Sequence, residues 1–374
     1  MRLMQVGILV LFSICTSLSV VESNGDLSVS GTTITNDLAI MGLDCTGGTL
    51  TTDSLGVASC SDPGCSLSAC FETGYAVLIC GDSSLTVNCV NAGIAWTAHT
   101  ALANEWRMVT YGDGLFVAVT HDGTNRVMTS PDGITWTYRS AAEPNQWMSV
   151  THGDGLFVAV ADNGTNQVMT SPDGMAWTPQ TTPEFGSWAD VTYGDGLFVA
   201  VAGSQVMTSP DGIAWTAQTA EAGAWSSVTY GGELFVAVGW DGANRVMTSP
   251  DGINWTSRTA AEANEWKSVT YGDGLFVAVT LIGVNKVMTS PDGINWTSRT
   301  AAEANHWSSV TYGNGLFVAV AQSGTNRVMT SPDGITWTPH SAAEDNIWMS
   351  VTYGGGLFVA VAFNDVTHKV MTSP

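Results

Sequence analysis

The fold is decided by residues 266–307, which read WKSVTYGDGLFVAVTLIGVNKVMTSPDGINWTSRTAAEANHW. The Trp that opens this unit recurs along most of the chain. The seven copies are Trp106, Trp147, Trp188, Trp225, Trp266, Trp307 and Trp348, with successive gaps of 41, 41, 37, 41, 41 and 41 residues. A fixed period of about 40 residues is typical of repeat proteins, so residues 91–374 are interpreted as seven copies of one unit.

Each copy predicts four short strands separated by tight turns. In the second copy the predicted strands are 148–152, 156–161, 167–171 and 175–179, all rich in Val, Phe, Met, Thr or Trp. Gly153-Asp154-Gly155 separates the first two strands and Pro172-Asp173-Gly174 separates the last two, and both triplets have the composition of tight turns. No stretch of the unit has helical periodicity, so it predicts an antiparallel four-stranded sheet.

The second strand of each copy, LFVAV, indicates how the sheets are arranged. It has no polar face, as residues 156–160 show. Both faces of a small sheet are buried when sheets stack around a common axis. We therefore predict an all-β fold, a seven-bladed β-propeller of four-stranded antiparallel blades.

The two ends of the repeat region predict that the ring is closed. The chain stops at Val370-Met371-Thr372-Ser373-Pro374, where the other copies continue into Asp-Gly-x-x-Trp-Thr. The repeat region begins with Gly93-Ile94-Ala95-Trp96-Thr97, which is that missing continuation. Pairing of the first strand with the last copy would complete the seventh blade and remove the exposed edges of an open array.

The residues before the repeats predict export from the cell. Residues 1–23 have Arg2, an apolar stretch from Val6 to Val21 and small polar residues after it, which is the layout of a secretory signal peptide. Residues 24–90 then form a small Cys-rich β or stalk-like segment, and residues 91–374 form the propeller. We therefore expect a secreted protein or one displayed on the extracellular surface.

The cysteines of the 24–90 segment are disulfide candidates. They are Cys45, Cys60, Cys65, Cys70, Cys80 and Cys89. An even set of closely spaced cysteines in an exported chain predicts three disulfides, with fifteen pairings open, and the spacings are unlike those of a zinc site.

The charge balance excludes some partners. The chain has 33 acidic and 11 basic residues and a formal net charge of -22, which repels nucleic acids and anionic lipid surfaces. No stretch after the signal peptide is long and apolar enough to span a bilayer. We expect a monomeric propeller with no nucleic-acid partner, no membrane span after signal cleavage, no metal and no cofactor.

The turn element resembles a known motif. Ser-Pro-Asp-Gly-x-x-Trp-Thr, at residues 290–297, resembles the Asp-box (bacterial neuraminidase repeat) of sialidase-like propellers, although Asp292 and Gly293 are one residue closer than in the usual box. The resemblance implies a propeller, and it implies little about activity because Asp-boxes are structural turns.

A sialidase-type site would require an arginine triad, a Tyr nucleophile with a Glu partner, and an acid/base Asp. The arginines instead fall at repeated positions, as do the tyrosines. They are Arg126, Arg245 and Arg327 at one position, Arg139, Arg258 and Arg299 at another, and Tyr111, Tyr193, Tyr230, Tyr271, Tyr312 and Tyr353. Because catalysis requires an asymmetric set of groups, the sameness of the copies predicts a protein that is not an enzyme.

Differences between the copies suggest a binding surface. The two turn triplets barely change, whereas the loop after the second strand and the loop that joins blades vary, and a meander places those two loops at the same end. Variation on one face of a repeat array is typical of binding surfaces, although neutral drift of loops explains it equally well. The candidate residues of this rim are His121, Phe185, Trp240, Asp241, Leu281, Ile282, Ile347 and Phe363.

Two sets of carboxylates are also candidates. A Glu stands four residues before six of the seven opening Trp residues, at Glu143, Glu184, Glu221, Glu262, Glu303 and Glu344. If those loops gather around the axis, the six would form an acidic ring that attracts a cation or a basic ligand, although simple solvation of the loops is the commoner role. The repeated Asp of each Pro-Asp-Gly turn is expected to accept hydrogen bonds inside its own turn, as at Asp292.

These observations favour a non-catalytic binding module whose variable loops take a carbohydrate or a protein. A sialidase-like hydrolase acting on glycans is the second hypothesis. A structural component of a surface or fibre is the third.

Overall fold

The computed structural model describes residues 92–364 and 367–374 in full and, between residues 19 and 88, the backbone of eight strands. The chain divides into two compact units, Met1–Ala92 and Gly93–Pro374. Every described secondary-structure element is a β-strand. In the described residues no helix is long and apolar enough to cross a membrane.

The first unit contains two sheets. The strands are β1 (Ser19–Ser23), β2 (Asp26–Ser30), β3 (Asp44–Cys45), β4 (Gly48–Thr52), β5 (Ala58–Cys60), β6 (Cys65–Ala69), β7 (Tyr75–Cys80) and β8 (Ser83–Asn88). The five-stranded sheet has the order β1-β2-β5-β4-β3, and the three-stranded sheet has the order β6-β7-β8. Cys65 and Cys80 are directly opposed in the β6–β7 register. The predicted disulfides involve side chains outside the described residues and stay a prediction, as do the signal peptide and its cleavage.

The second unit is the predicted seven-bladed propeller. Its first strand is β9 (Thr97–Thr100). Blades 1 to 3 follow as β10 (Trp106–Gly112), β11 (Leu115–Thr120), β12 (Val127–Ser130), β13 (Thr137–Arg139); β14 (Trp147–Gly153), β15 (Leu156–Ala161), β16 (Val168–Ser171), β17 (Thr178–Gln180); and β18 (Asp190–Gly194), β19 (Leu197–Ala202), β20 (Gln205–Ser209), β21 (Thr216–Gln218).

Blades 4 to 7 repeat the pattern. They are β22 (Ala224–Gly231), β23 (Leu234–Asp241), β24 (Val246–Ser249), β25 (Thr256–Arg258); β26 (Trp266–Gly272), β27 (Leu275–Thr280), β28 (Val287–Ser290), β29 (Thr297–Arg299); β30 (Trp307–Gly313), β31 (Leu316–Ala321), β32 (Val328–Ser331), β33 (Thr338–His340); and β34 (Trp348–Gly354), β35 (Leu357–Ala362), β36 (His368–Ser373). Each blade is an antiparallel sheet whose strands follow chain order. The first strands of neighbouring blades contact each other around the whole ring, including β34 with β10, so they line the axis.

The turns confirm the chemistry read from the sequence. In the first turn of blade 1, Asp113 and Gly114 have φ of 48° and 78°, the left-handed conformation that a two-residue hairpin requires. In the second turn Oδ1 of Asp132 accepts hydrogen bonds from the backbone N–H of Ile134 at 2.9 Å and of Thr135 at 2.7 Å. These hydrogen bonds hold the pKa of Asp132 below its ordinary value.

The fourth strand differs from its prediction. In blade 2 it spans Thr178–Gln180, whereas residues 175–179 were predicted. The backbone N–H groups of Met175 and Ala176 instead donate to Oδ1 of Asp173, at 2.8 and 3.1 Å. The backbone N–H groups of Met175 and Ala176 therefore belong to the turn and are not available to a strand. Pairing of β17 with β16 begins only after Trp177.

The core lies between blades rather than inside one sheet. The opening Trp residues are at most 1% exposed, and the Val-Ala-Val segments of the second strands are fully buried. One cluster joins Val277 and Val279 of blade 5 to Trp307 and Phe317 of blade 6. A Cβ on Gly133, in the second turn of blade 1, would lie 2.9 Å from Cγ2 of Val359 in blade 7, so each such turn packs closely on the preceding blade.

Hydrogen bonds around the axis also join the blades. In the sixth and seventh blades, for example, Oγ of Ser309 accepts the backbone N–H of Val351 at 3.2 Å. The residue two after the opening Trp plays this part at six of the seven junctions. The pairs are Ser149–Val191, Asp190–Val228, Ser227–Val269, Ser268–Val310, Ser309–Val351 and Ser350–Val109. We call this set the inner belt.

The ring is closed by strands from the two ends of the repeat region. β9 pairs antiparallel with β36 and completes blade 7 as its outer strand, with Ala98 opposite Met371 and Thr97 opposite Thr372. Nε2 of His99 also lies 2.8 Å from Oγ1 of Thr372. The predicted closure is confirmed.

Deleting residues 92–99 removes this outer strand and exposes the edge of β36. We expect the melting temperature of the propeller to fall by about 5 °C or more, since a shift of about 2 °C corresponds to each kcal/mol in a domain of this size. Differential scanning calorimetry measures it. The control carries the same deletion and has Asp-Gly-Ile-Ala-Trp-Thr-Ala-His appended after Pro374. This is the position of the outer strand in the other blades, so the control should regain the stability of the wild type. An unchanged melting temperature on deletion would contradict closure by this strand.

Candidate functional site

The two variable loops of each blade lie together, as expected. The loop after the second strand bonds to the loop that enters the same blade: Oδ1 of Asp122 accepts the backbone N–H of Glu105 at 2.8 Å, and Oδ1 of Asn163 accepts that of Gln146 at 2.8 Å. We call this end of the propeller the variable-loop face. Because each first strand begins directly after an entering loop, the opening Trp residues lie beneath this face.

The repeated arginines hold this face together. Nη1 of Arg126 in blade 1 donates to the carbonyl of Asn145 in the entering loop of blade 2, at 2.8 Å. Arg245 and Arg327 make the same bond to Asn264 and Asn346 in the next blades, at 2.7 Å each. These side chains therefore join successive blades, and they do not converge as an arginine triad would.

The other repeated residues are also structural. Nε of Arg139 donates to Oγ1 of Thr129 within its own blade, at 3.2 Å, and Arg258 and Arg299 do the same. Each repeated Tyr packs on the Phe of its blade, with ring centroids 4.6 Å apart for Tyr111 and Phe116. The repeated Arg and Tyr side chains therefore make the same contacts from blade to blade, as the sequence predicts.

A narrow polar pocket of about 60 Å³ lies on the axis. It is lined by the residues that follow the opening Trp residues, two from each of blades 1 to 6 and one from blade 7. They are Arg107-Met108, Met148-Ser149, Ala189-Asp190, Ser226-Ser227, Lys267-Ser268, Ser308-Ser309 and Met349. We call it the axial pocket, and it lies at the variable-loop end of the first strands.

The axial pocket corrects the expectation drawn from repeat symmetry. Arg107, Asp190 and Lys267 are three unlike charged groups that converge on the axis from blades 1, 3 and 5. The sameness of the copies predicts no asymmetric set of charged groups, and that prediction is wrong at the axial pocket. The repeats set the strand positions, whereas the residue directly after each Trp faces the axis and varies among the blades.

Asp190 occupies a Ser position of the inner belt. Its carboxylate accepts hydrogen bonds from Oγ of Ser149 at 2.6 Å and from the backbone N–H of Val191 and Val228 at 2.9 Å each. Burial nevertheless raises the pKa of Asp190 above its ordinary value, against these hydrogen bonds.

The two cations of the pocket lack comparable partners. Lys267 borders the pocket lumen, and burial lowers its pKa, with a further decrease from Arg107 and an opposing increase from Asp190. Nε of Arg107 is buried without a hydrogen-bond partner. Among the described residues neither side chain forms a salt bridge.

Beside the pocket, blade 1 and blade 7 build an aromatic and charged cluster. His121 stacks on Phe363 with ring centroids 5.4 Å apart, and Cζ of Arg107 lies 4.5 Å from the same Phe363 ring. Nε2 of His121 lies 2.9 Å from Oε2 of Glu105. The structure therefore brings two predicted rim residues, His121 and Phe363, to the mouth of the axial pocket.

Three groups here have the chemistry of metal ligands. One ligand atom from each of Glu105, His121 and Asp122 lies within 4.8 Å of the others. We predicted no metal, and the six His residues are scattered along the sequence. The loop pairing brings a carboxylate from the entering loop to a His-Asp pair 16 residues later, a relation visible only once the loops are placed.

The other predicted rim residues lie farther round the ring. Phe185 is 70% exposed and Trp240 is 53% exposed. Blade 3 has a short loop after its second strand, with Ala202 paired directly to Gln205, so the rim is lower there. Asp241 ends β23, and its Oδ1 accepts the backbone N–H of Gly242 at 2.8 Å.

The six glutamates do not gather around the axis. Oε2 of Glu221 accepts the hydroxyl of Ser257 and Oε1 of Glu262 that of Ser298, at 2.9 Å each, and both serines are on outer strands. Glu143, Glu303 and Glu344 bond to Asn166, Asn326 and His368 beside the same loops, and Glu184 accepts from Gln205. The glutamates therefore tie loops together near the outer edge. A ligand-binding role for them stays a prediction.

A larger open groove of about 520 Å³ lies between the outer strand of blade 4 and the second turn of blade 5. It is lined by Ser257, Arg258 and Asn295 with their neighbours. These residues belong to the repeated positions, and no convergent charged set lies there, so we assign the site to the axial pocket and its mouth.

The comparisons with known proteins support the fold. The DUF6242 β-propeller domain matches residues 131–261 of the chain. No curated protein matches the chain. The virginiamycin B lyase of Staphylococcus aureus, solved as an inactive variant with quinupristin, is similar in structure with a TM-score of 0.66 and 12% identity, over 75% of this chain and 98% of that one.

A second similar structure is YCF48 from Cyanidioschyzon merolae, with a TM-score of 0.58 and 14% identity over 75% of this chain and 98% of that one. YCF48 bound to D1 peptide is similar with a TM-score of 0.57 and 14% identity, over 75% of this chain and 94% of that one. At 12 to 14% identity these similarities support a β-propeller fold and carry no information on activity. The Asp-box resemblance stays a prediction.

Asp190→Ser tests the electrostatics of the axial pocket, because Ser stands at this position in five other blades. The pKa of Asp190 is higher in the folded protein than in the unfolded chain, so the folded protein binds the carboxyl proton more tightly. The protein therefore loses stability as the pH rises from about 3.8 through the folded pKa. We expect the variant to lose that pH dependence and to melt about 2 °C or more higher at pH 7.5. Calorimetry between pH 4 and 8 measures both. A parallel decrease of stability in both proteins over this range would contradict the assignment.

Proposed function

We propose that this protein is a secreted or surface-displayed binding module that takes a carbohydrate on its variable-loop face without chemical turnover. The observation that carries the proposal is the distribution of differences among the blades. The residues that differ lie in the variable loops and at the axial pocket, whereas the turns at the opposite end are nearly identical from blade to blade. Function is expected where near-identical copies diverge on one face.

The side chains of this face favour a sugar. Trp240, which lies outside the repeat pattern, and Phe185 present large aromatic surfaces to solvent. The loops around them contribute Asn, Asp, Gln and Thr side chains, such as Asn163 and Asp241. Aromatic rings beside convergent polar groups suit a ligand with apolar faces and many hydroxyls.

Export is part of the proposal and is supported by the N-terminal sequence. Arg2 followed by the apolar stretch from Val6 to Val21 resembles a signal peptide. A carbohydrate ligand and an acidic, weakly charged surface are both consistent with an extracellular setting.

A protein ligand is the second candidate. Ile282 is 44% exposed and Val284 is 88% exposed on the loop of blade 5. Exposed aliphatic side chains are commoner at protein interfaces than in sugar sites. This candidate predicts that blade 5 variants, rather than Trp240 variants, lose binding.

Hydrolysis of glycans is the third candidate, because Lys267 and Asp190 are unlike titratable groups in one pocket. We favour binding over hydrolysis because the carboxylate of Asp190 is engaged by Ser149, Val191 and Val228. Turnover of any member of a fluorogenic glycoside panel, abolished by Lys267→Ser, would establish the hydrolase instead.

Trp240→Ala tests the carbohydrate proposal. A glycan array with the full-length protein identifies ligands, and titration calorimetry with the best of them should show about tenfold weaker binding in the variant, since one aromatic contact contributes about 1 to 1.5 kcal/mol.

The matched control for that variant is Ile253→Ala. Ile253 is also an exposed apolar residue of blade 4, at 45%, but it lies in the second turn at the opposite end. It should bind as the wild type does. Absence of any array ligand, or equal losses in the two variants, would contradict the proposed function.

A further inference from the structure

The axial pocket contains two cations whose charges are not balanced by direct partners, and this inference rests on the proposed function. Arg107 and Lys267 approach the axis from blades 1 and 5. A chain of net charge -22 has many carboxylates available to neutralise them. Unpaired charges near the centre of a protein cost stability, so their retention requires an explanation.

The Arg107 guanidinium is held in place while its donors stay available. Its Cζ lies 4.5 Å from the centre of the Phe363 ring, and the Phe363 backbone is fixed by its N–H bond to the carbonyl of Ile347 at 2.9 Å. Nε of Arg107 is buried and has no acceptor. A guanidinium fixed on an aromatic face, with free donors, is preorganised for a planar anion.

The nearby carboxylates are already engaged. Oε2 of Glu105 is 2.9 Å from His121, and Oδ1 of Asp122 accepts the hydroxyl of Thr120 at 2.9 Å. The carboxylate of Asp190 accepts hydrogen bonds from Ser149, Val191 and Val228. Asp162 lies near Arg107 as well, and burial raises the pKa of this carboxyl against the opposing effect of His121 and Arg107.

The size and charge of the pocket limit what fits. About 60 Å³ corresponds to roughly two water molecules, so the pocket accepts one small group and the rest of a ligand must lie on the rim. Among the residues that line the pocket, charged Arg107 and Lys267 exceed an ionised Asp190 by one positive charge. A single monovalent planar anion matches both limits.

We propose that the axial pocket anchors the carboxylate of an acidic carbohydrate, a uronic acid, between Arg107 and Lys267. The guanidinium of Arg107 donates to the carboxylate, and Nζ of Lys267 contributes the second charge. The sugar rings extend outward over the variable-loop face past Phe363. Arg107 and Lys267 thereby set the specificity for acidic over neutral glycans.

The other blades supply matched variants. The position of Arg107 and Lys267 is Ser in blades 4 and 6, at Ser226 and Ser308. Arg107→Ser and Lys267→Ser therefore place a residue that the same strand position already accepts. We expect their melting temperatures to equal or exceed that of the wild type, because each removes an unpaired charge.

Titration calorimetry on the full-length protein tests the anchor with trigalacturonic acid and with its fully methyl-esterified, uncharged form. The wild type should bind the acid at least about tenfold more tightly than the ester, and each Ser variant should lose that preference. The control is Arg139→Gln, which removes the same charge at an outer-strand position where Gln180 and Gln218 already bond to a Thr hydroxyl. It should bind as the wild type does.

The outcomes separate this inference from the proposed function. Equal affinity for acid and ester, or unchanged affinity in both Ser variants, overturns the anchor while carbohydrate binding stands. A further arm uses acetyl-trialanine with a free or an amidated C-terminus. If only the free peptide binds, and no glycan binds, the carboxylate comes from a protein, and both the uronic acid anchor and the carbohydrate function are overturned.

Discussion

The structure depends on burial of both faces of every blade against its neighbours. Each opening Trp is at most 1% exposed. Burial of a Trp removes about 150 to 250 Å² of surface from water, which contributes about 4 to 6 kcal/mol to stability as an upper bound. No blade can provide this for itself, since Trp307 of blade 6 packs on Val277 and Val279 of blade 5. The ring must therefore be complete, and this is why the outer strand of blade 7 comes from β9 at the start of the repeat region.

Closure also explains where the protein can vary. The second turn of each blade packs so closely on the preceding blade that Gly133 has no room for a Cβ, with Val359 at 2.9 Å. The inner belt fixes the second residue after each Trp at most junctions, through bonds such as Ser309 to Val351. The residue directly after each Trp faces the axis and lies outside the inner belt, although Ser226 and Ser308 donate to the carbonyls of Trp266 and Trp348 in the next blades. It is Arg107, Met148, Ala189, Ser226, Lys267, Ser308 or Met349.

The architecture could be predicted from the sequence because it rests on local signals that occur seven times. Strand order, turn positions and closure follow from the Gly-Asp-Gly and Pro-Asp-Gly triplets and from the strand missing after Pro374. The fourth strand was misplaced because the Asp173 carboxylate captures backbone donors beyond the turn. The acidic ring was a conditional hypothesis, and the sequence could not test it because the partners of the glutamates, such as Ser298 for Glu262, are 36 residues away.

The axial pocket was missed although a signal was present. The residue after the opening Trp is of five different types in its seven copies, whereas the Trp before it never changes and the residue after it is Ser in five copies. Variation among copies is common in loops and uncommon inside strands, and this position lies inside a strand. His121 and Phe363 were found as loop residues, but only the structure shows that they meet Arg107.

The central claim is that ligand binding occurs where the blades differ, around the axial pocket and on the variable-loop face. Hydrogen–deuterium exchange with and without the best array ligand tests it most directly. The account predicts slower exchange in the entering loops and in the loops after the second strands, at residues 101–107, 121–126 and 239–245, with no change at the Pro-Asp-Gly turns. Protection confined to those turns, or spread equally over all seven blades, would contradict it.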